Sequence, residues 1–285
     1  MQEQIIDVST GRKSQVWFES QGSKLAIFHH GVPKPQPLSP AILEVFKAHG
    51  YSVACVVRAG YLGSTVTEAL PMAADAEVSR AVAAALGFET FISVGYSGGS
   101  PRALADAALS ANCSGAITFG SVAPLDQGFD ALAVMAEEDR GFVDMLQEEG
   151  MALLPKFEEW KQGFIDTPFE ATLPKDDPAA AAWLQTEDGK FRCALPTDLP
   201  FRSGAAGWLL DEISMVRSWG FAVSSVAKPV VLVTGDQDKN VDPSCSSWLS
   251  SQIRGSKLLV KLGYEHNRIF CTDVLAESLT LLESI

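Results

Sequence analysis

Phe91-Ile92-Ser93-Val94-Gly95-Tyr96-Ser97-Gly98-Gly99-Ser100-Pro101 is the stretch whose reading decides the fold. A β-branched and aromatic run meets a serine with glycine two residues before it and two after it. A helix-like segment opens at Pro101. The pattern G-x-S-x-G between a strand and a helix is a nucleophile elbow. A serine that projects above a sheet must sit on a sharp, strained turn. A Cβ at position 95 or 99 would collide with the strand-to-helix crossing, and glycine has none. The amide of Gly98, at the helix N-terminus, then points to where negative charge would develop on a reacting carbonyl.

Working outward, short apolar strands alternate with amphipathic helical segments, the pattern of a mostly parallel twisted sheet flanked by helices. Val16-Trp17-Phe18 and Leu25-Ala26-Ile27-Phe28 read as strands, the second ending at His29-His30-Gly31. Ser39-Pro40 starts a helix with a capping serine and a proline in the first turn, and Gly50 stops it. Val53-Ala54-Cys55-Val56-Val57 is a buried strand. Residues 72–86 form a helix closed by Gly87, and Gly115-Ala116-Ile117-Thr118-Phe119 is a strand after the elbow. The rhythm then breaks. Residues 124–220 contain no convincing strand, only helical segments at 129–147, 151–164, 178–184 and 207–219. Strands resume at Pro229-Val230-Val231-Leu232-Val233 and Lys257-Leu258-Leu259-Val260, and a helix over 271–282 closes the chain. Residues 1–123 and 221–285 therefore read as an α/β core, with 124–220 an inserted helical cap. Trp160, Trp183, Trp208 and Trp219 lie in that insert and read as filling its small core rather than touching substrate.

Composition narrows the function. The 285 residues are 47% hydrophobic and 20% charged, which is globular rather than disordered. The formal net charge of −13 opposes a nucleic-acid partner, and no basic patch offsets it. Glu137-Glu138-Asp139 and Glu148-Glu149 read as solvated helix faces. No apolar run is long enough to span a bilayer, and the polar N-terminus carries no secretory h-region. Cys55, Cys113, Cys193, Cys245 and Cys271 are scattered and odd in number. They read as free thiols in a reducing, cytoplasmic compartment, with no zinc spacing among them.

A serine hydroxyl needs a base to take its proton. The chain has four histidines. His29 and His30 end a strand before the elbow, and His49 ends an ordinary helix. His266, in Leu262-Gly263-Tyr264-Glu265-His266-Asn267, follows the last strand, where a loop can lean over the serine. The acid lies in Gly235-Asp236-Gln237-Asp238-Lys239-Asn240-Val241-Asp242-Pro243. Asp238 is the choice and Asp236 the fallback, while Asp242 beside Pro243 caps the next helix and Asp126 is more distant. The second oxyanion amide is assigned to Val32 in His30-Gly31-Val32-Pro33, because Pro33 has no N–H. His30 there braces the loop.

In these motifs the chain resembles an α/β-hydrolase of the capped, proline-iminopeptidase-like and esterase-like branch, over nearly its whole length. The family's His-Gly-x-Pro is similar to residues 30–33. Its Gly-x-Ser-Gly-Gly-x-Pro-x-Ala-Leu elbow matches 95–104, its Gly-x-x-Asp-x-x-Val-x-Pro loop matches 235–243, and its late Gly-x-x-His matches 263–266. The acid-loop match independently favours Asp238. The resemblance implies the fold, the triad and the cap. Two departures stand out. Val57-Arg58-Ala59-Gly60-Tyr61-Leu62-Gly63-Ser64 replaces an Asp-Arg-Pro-Gly-x-Gly-x-Ser loop, and the elbow lacks the Gly-Gly-Ser-Trp-Gly form of true proline iminopeptidases. Serine at 97, in place of aspartate, argues against alkyl-enzyme chemistry on haloalkane or epoxide substrates.

The expected activity is hydrolysis of a small carboxylic ester, lactone or related acyl bond through an acyl-enzyme on Ser97, with no metal or organic cofactor. The partner is a small-molecule acyl substrate rather than nucleic acid or membrane. The same triad would also serve amide, peptide or carbon–carbon hydrolysis, or acyl transfer, since the cap selects the leaving group. A ligand-binding receptor with slow turnover is the reading from another class.

Overall fold

A computed structural model describes residues 1–9 and 11–285, apart from the side chain of Glu138. The chain order is β1 (Gln2–Ser9), β2 (Arg12–Glu19), β3 (Lys24–His29), α1 (Pro40–Ala48), β4 (Tyr51–Val56), α2 (Asp75–Ala85), β5 (Phe91–Tyr96), α3 (Ser100–Leu109) and β6 (Cys113–Phe119). It continues through α4 (Glu137–Glu149), α5 (Leu154–Ile165), α6 (Pro178–Leu184), α7 (Glu187–Ala194) and α8 (Ala206–Val216). It ends with β7 (Val230–Gly235), α9 (Pro243–Gln252), β8 (Lys257–Lys261) and α10 (Thr272–Glu283).

The strands form one sheet in the order β1-β2-β4-β3-β5-β6-β7-β8. β1–β2 and β2–β4 pair antiparallel, and every later pair is parallel. β3, β5 and β7 alternate their side chains between two cores, as a period of two requires. Ala26, Phe28, Val94, Val231 and Val233 pack on the face that carries α1 and α10. Leu25, Ile27, Phe91, Val230 and Leu232 pack on the face that carries α2, α3 and α9. Helices therefore cover both faces of the sheet, as the strand–helix alternation predicts.

Differences from the sequence reading have local causes. β1 was not expected, because Gln2–Ser9 buries only Ile6 and reads as polar. The helix expected over 129–147 is two pieces. Asp130 caps a 3₁₀ turn at Ala131–Val134, Met135 and Ala136 are extended, and α4 starts afterwards. Residues 187–194 form a helix the sequence reading missed, and the helix expected to reach Trp219 stops at Val216. Between β6 and β7 the described residues form only helices and turns. Glu137, Asp139, Glu148 and Glu149 are exposed on α4, and the Glu138 side chain lies outside the described residues.

The tryptophans of this segment divide. Trp208 packs among Phe157, Phe164 and Phe201, whereas Trp219 lies beneath the sheet with Phe221. Trp160 is 38% exposed and lines a cleft.

Candidate active site

The elbow begins as β5 delivers Tyr96 to the sheet edge. Ser97 follows at φ 53°, a left-handed conformation for a residue with a Cβ, and α3 leads away. Such a residue is held against about 1–3 kcal/mol of strain and projects from the turn. The flanking glycines are sterically required. A Cβ on Gly95 would stand 2.5 Å from the Gly99 carbonyl oxygen, and one on Gly99 would stand 2.2 Å from that of His29.

Two loops on the same edge meet Ser97. His266 follows β8, and its Nε2 lies 2.9 Å from Ser97 Oγ. Asp238 follows β7, and its Oδ2 lies 2.7 Å from His266 Nδ1. A carboxylate only accepts, so Nδ1 carries the proton and Nε2 is free to accept from the hydroxyl. Asp238 Oδ1 accepts from the amides of Asn240 and Val241 at 3.0 and 2.9 Å, which fixes the carboxylate plane. Asp236 has another partner: it accepts from the Gly263 amide at 2.6 Å and ties down the start of the histidine loop. Asp242 caps α9 through Ser244, and Asp126 is exposed.

Several contributors escaped the sequence reading. Tyr96 donates its hydroxyl to the His266 carbonyl at 3.1 Å, and its ring lies 5.4 Å from the imidazole. Gly120, at φ 59°, lets the chain pass under the pair. A Cβ there would stand 3.0 Å from the His266 ring and 3.3 Å from Asp238 Oδ2.

Val32 and Gly98 approach each other across the elbow; a Cβ on Gly98 would stand 2.6 Å from Val32 Cγ2. Behind them lies a buried ionic cluster. Arg58 grips Asp211 of α8 through two bonds of 2.7 and 2.6 Å, and Arg102 of α3 reaches the same carboxylate at 2.9 Å. Tyr61 donates to it as well, at 2.9 Å. Burial alone would raise the Asp211 carboxyl, but the charges of Arg58 and Arg102 outweigh burial and hold it at about 2. Both guanidinium groups also hold backbone, and Arg102 Nε binds Asp75 at 3.1 Å. Arg58 donates to the carbonyls of His30 and Gly31 at 2.6 and 3.3 Å, and Arg102 donates to that of Gly98. His30 also donates from Nδ1 to the Gly31 carbonyl at 2.7 Å. Burial, with the Arg58 cation beside it, keeps that imidazole neutral. Gly31 C=O belongs to the peptide whose N–H is that of Val32, so this cluster orients that amide from behind. The loop in which Val57 and Ala59 depart from the family pattern is thus ordered through Arg58, Gly60 and Tyr61 against α8.

Ser97, His266, Val32 and Gly98 open onto a cleft of about 600 Å³ whose far wall comes from the helical segment. Glu212 and Met215 of α8 enter it, as do Trp160 and Phe164 of α5. Trp208 Nε1 donates to Glu212 at 2.9 Å, and burial pushes that carboxyl up to about 7. Arg192 of α7 donates to the carbonyls of Asn267 and Phe270 and pairs with Asp188 at 3.2 Å. The described residues hold no group of three or more His, Cys, Asp or Glu side chains suited to a metal, and no helix among them is long and apolar enough to cross a membrane.

Solved structures align with the chain over almost its full length. An α/β-hydrolase fold protein from Nakamurella multipartita is 18% identical, with a TM-score of 0.70 over 99% of this chain and 98% of that one. A bromoperoxidase from Bacillus anthracis is 16% identical, with a TM-score of 0.70 over 100% of both chains. The chain has the α/β-hydrolase fold. An enol-lactonase from Burkholderia xenovorans is 10% identical, with a TM-score of 0.69 over 98% of this chain and 100% of that one. No protein-family model and no curated protein sequence matches the chain. An α/β-hydrolase fold hosts several chemistries, as these neighbours' names illustrate, so the reaction has to be argued from the site.

Proposed function

We propose that the protein is a serine hydrolase that cleaves a small carboxylic ester, lactone or related acyl bond. The observation that carries this reading is the continuous hydrogen-bond chain Ser97–His266–Asp238 at 2.9 and 2.7 Å, starting from a serine on a strained turn. Ser97 Oγ attacks the acyl carbon as its proton passes to His266 Nε2. The tetrahedral oxyanion is held by the N–H groups of Val32 and Gly98. The intermediate collapses, and the leaving oxygen takes the proton from His266. A water then gives its proton to His266 and attacks the acyl-enzyme, and the proton returns to Ser97 as the acid departs. Asp238 stabilises each imidazolium without becoming protonated. Residues 124–220 act as the cap that closes the cleft and selects the substrate.

A second reading, hydrolysis of an amide next to a free amine, draws on Glu212 in the cleft wall. A carboxyl held at about 7 is only partly ionised at neutral pH, which weakens that case.

Intact-mass spectrometry after treatment with a fluorophosphonate tests the proposal. The expected result is one adduct on the wild type and none on Ser97→Ala, whose turnover also falls by several orders of magnitude. An adduct that persists on the variant, or none on the wild type, removes Ser97 as nucleophile.

A further inference from the structure

Lys34 follows Val32 by two residues, and its amide closes the turn by donating to the Gly31 carbonyl at 3.0 Å. The residue that starts this side chain is therefore fixed by the same turn that presents the Val32 amide. Its side chain is partly buried, lines the cleft with Ser97 and His266, and carries its ammonium 4.7 Å over the ring of Phe169. Among the described residues that ammonium has no hydrogen bond or ion pair. Nearby Arg192 is already committed to Asn267, Phe270 and Asp188. Glu265, which also bears on Lys34, is engaged by Arg268 and by the Asn267 amide.

The charge of the cleft contrasts with that of the whole molecule. The chain carries a formal net charge of −13, yet the described charged side chains lining the cleft, other than His266, are Lys34, Arg192 and Glu212. Asp188 balances Arg192, so the uncompensated charges at the wall are Lys34 and Glu212, and the wall is basic on balance to the extent that Glu212 is protonated. A low-dielectric cleft lined by one sign of charge concentrates ligands of the other. Burial, with Arg192 adding to it, lowers the Lys34 amine to about 8. Most molecules hold it as a cation at neutral pH, with part of its hydration already lost. An anion from the substrate would restore what burial removes.

We propose that Lys34 is an anion-recognition residue of the cleft, and that the substrate is an ester or lactone carrying a carboxylate. The proposal rests on the serine-hydrolase reading. A single uncommitted ammonium, facing a cleft that also holds Glu212, suits a monoanion better than a dianionic phosphate. The carboxylate docks on Lys34 while the acyl carbon sits at Ser97, so the turn that supplies the oxyanion amide also supplies the substrate's anchor.

Two experiments test it. The first compares kcat/KM for the nitrophenyl monoester of glutaric acid with that for its neutral isostere, in which an isopropyl group replaces the carboxylate. Loss of a charge-assisted hydrogen bond predicts that the acidic-to-neutral ratio falls about 10- to 100-fold in Lys34→Met. The ratio is largely kept in Lys34→Arg. Fluorophosphonate labelling of Ser97 reports that the variants retain an assembled site. An unchanged ratio in Lys34→Met overturns the proposal, as does an equal loss on both substrates, which would mark Lys34 as a general support of the turn. The second experiment needs no turnover. Calorimetric binding of glutaric acid monomethyl ester to Ser97→Ala should be lost in Ser97→Ala/Lys34→Met. Equal binding to both proteins, or binding to neither, rejects the anion site. A labelled Ser97 beside that rejection leaves the hydrolase reading standing.

Discussion

Replacing Asp211 with asparagine separates what the buried cluster does for stability from what it does for the reaction. In the wild type one carboxylate receives two bonds from Arg58, one from Arg102 and one from Tyr61, at 2.6 to 2.9 Å. Asparagine keeps the shape but removes the negative charge and turns an amide N–H₂ toward a guanidinium. Arg58 then has no acid partner, and Arg102 keeps only Asp75, at 3.1 Å. Breaking a buried pair in this way costs about 3–5 kcal/mol. The whole stability of a domain is roughly 5–15 kcal/mol. At about 2–4 °C per kcal/mol, melting should fall by roughly 6–20 °C. The kinetic effect follows from the carbonyls the arginines hold. Removal of a complete oxyanion donor typically costs about 10²–10³ in kcat. A Val32 amide that is present but poorly aimed should cost less, about 10- to 100-fold. The loss should appear in kcat more than in KM, because the oxyanion exists only in the transition state. Differential scanning calorimetry and steady-state kinetics well below the melting point read the two effects separately. A triple variant, Arg58→Met/Arg102→Met/Asp211→Leu, supplies the control. Apolar replacement of a buried ionic cluster is often neutral or stabilising, so its melting point should recover while kcat stays low. If kcat recovers together with stability, the cluster positions nothing and the argument fails.

Asp238→Asn should lower kcat about 10⁴-fold by allowing the wrong His266 tautomer, whereas Asp236→Asn gives up one loop hydrogen bond, worth about 1 kcal/mol. Kinetics that rank the two variants in the opposite order move the acid to Asp236. Glu212 makes a prediction about pH. Its carboxyl rests at about 7 in the folded chain and at about 4.3 when unfolded. Between these values the folded state binds more protons, so stability falls as pH rises through that window. At 1.36 kcal/mol per unit the contribution is up to about 4 kcal/mol, and about 2 for a side chain that is not fully enclosed. Glu212→Gln keeps an acceptor for Trp208 and should flatten this dependence in urea titrations between about pH 5 and pH 8. A slope equal to that of the wild type would place the titrating group elsewhere.

The legible parts of the chain were those with a short-range physical signature. β3, β5, β6 and β7 are buried along almost their whole length and read as mostly apolar runs. The elbow announces itself because two glycines flank its serine, Gly95 demanded by the nearby Gly99 carbonyl, although the carbonyl that demands Gly99 is that of His29, on another strand. β1 hides because an edge strand with a single buried side chain has little apolar pattern. α7 hides because Glu187–Ala194 is polar and contains Gly189, where a Cβ would stand 2.3 Å from the Trp183 carbonyl oxygen. Its support is tertiary: Arg192 reaches the carbonyls after His266, 75 and 78 residues away. Arg58 and Asp211 are separated by 153 residues, and nothing local marks Asp211 as other than a surface acid on an amphipathic helix. The departures at Val57 and Ala59 drew attention to a loop whose ordering element lies on α8.

Helix α8 joins two tasks that chemistry usually treats apart. Gly207, Asp211 and Ser214 recur at spacings of four and three and face the core loops: Gly207 against Tyr61, Asp211 against both arginines, and Ser214 against Arg102. Trp208, Glu212 and Met215 recur at the same spacings one residue along. This second stripe faces the helical segment's aromatics and the cleft. Adjacent stripes on a helix are about 100° apart and rotate as one body. A substitution or ligand that turns the Glu212 stripe must therefore also turn Asp211, and with it the arginines that hold the Gly31 and Gly98 carbonyls. On the proposed mechanism, fit at the cleft wall is thereby coupled to the aim of the Val32 amide, whose peptide carries the Gly31 carbonyl, without any large movement. The cost of a poor substrate should then fall on kcat as well as on KM. Variants of Met215, whose sulfur would stand 3.1 Å from a Cβ on Gly98, should show the same pattern.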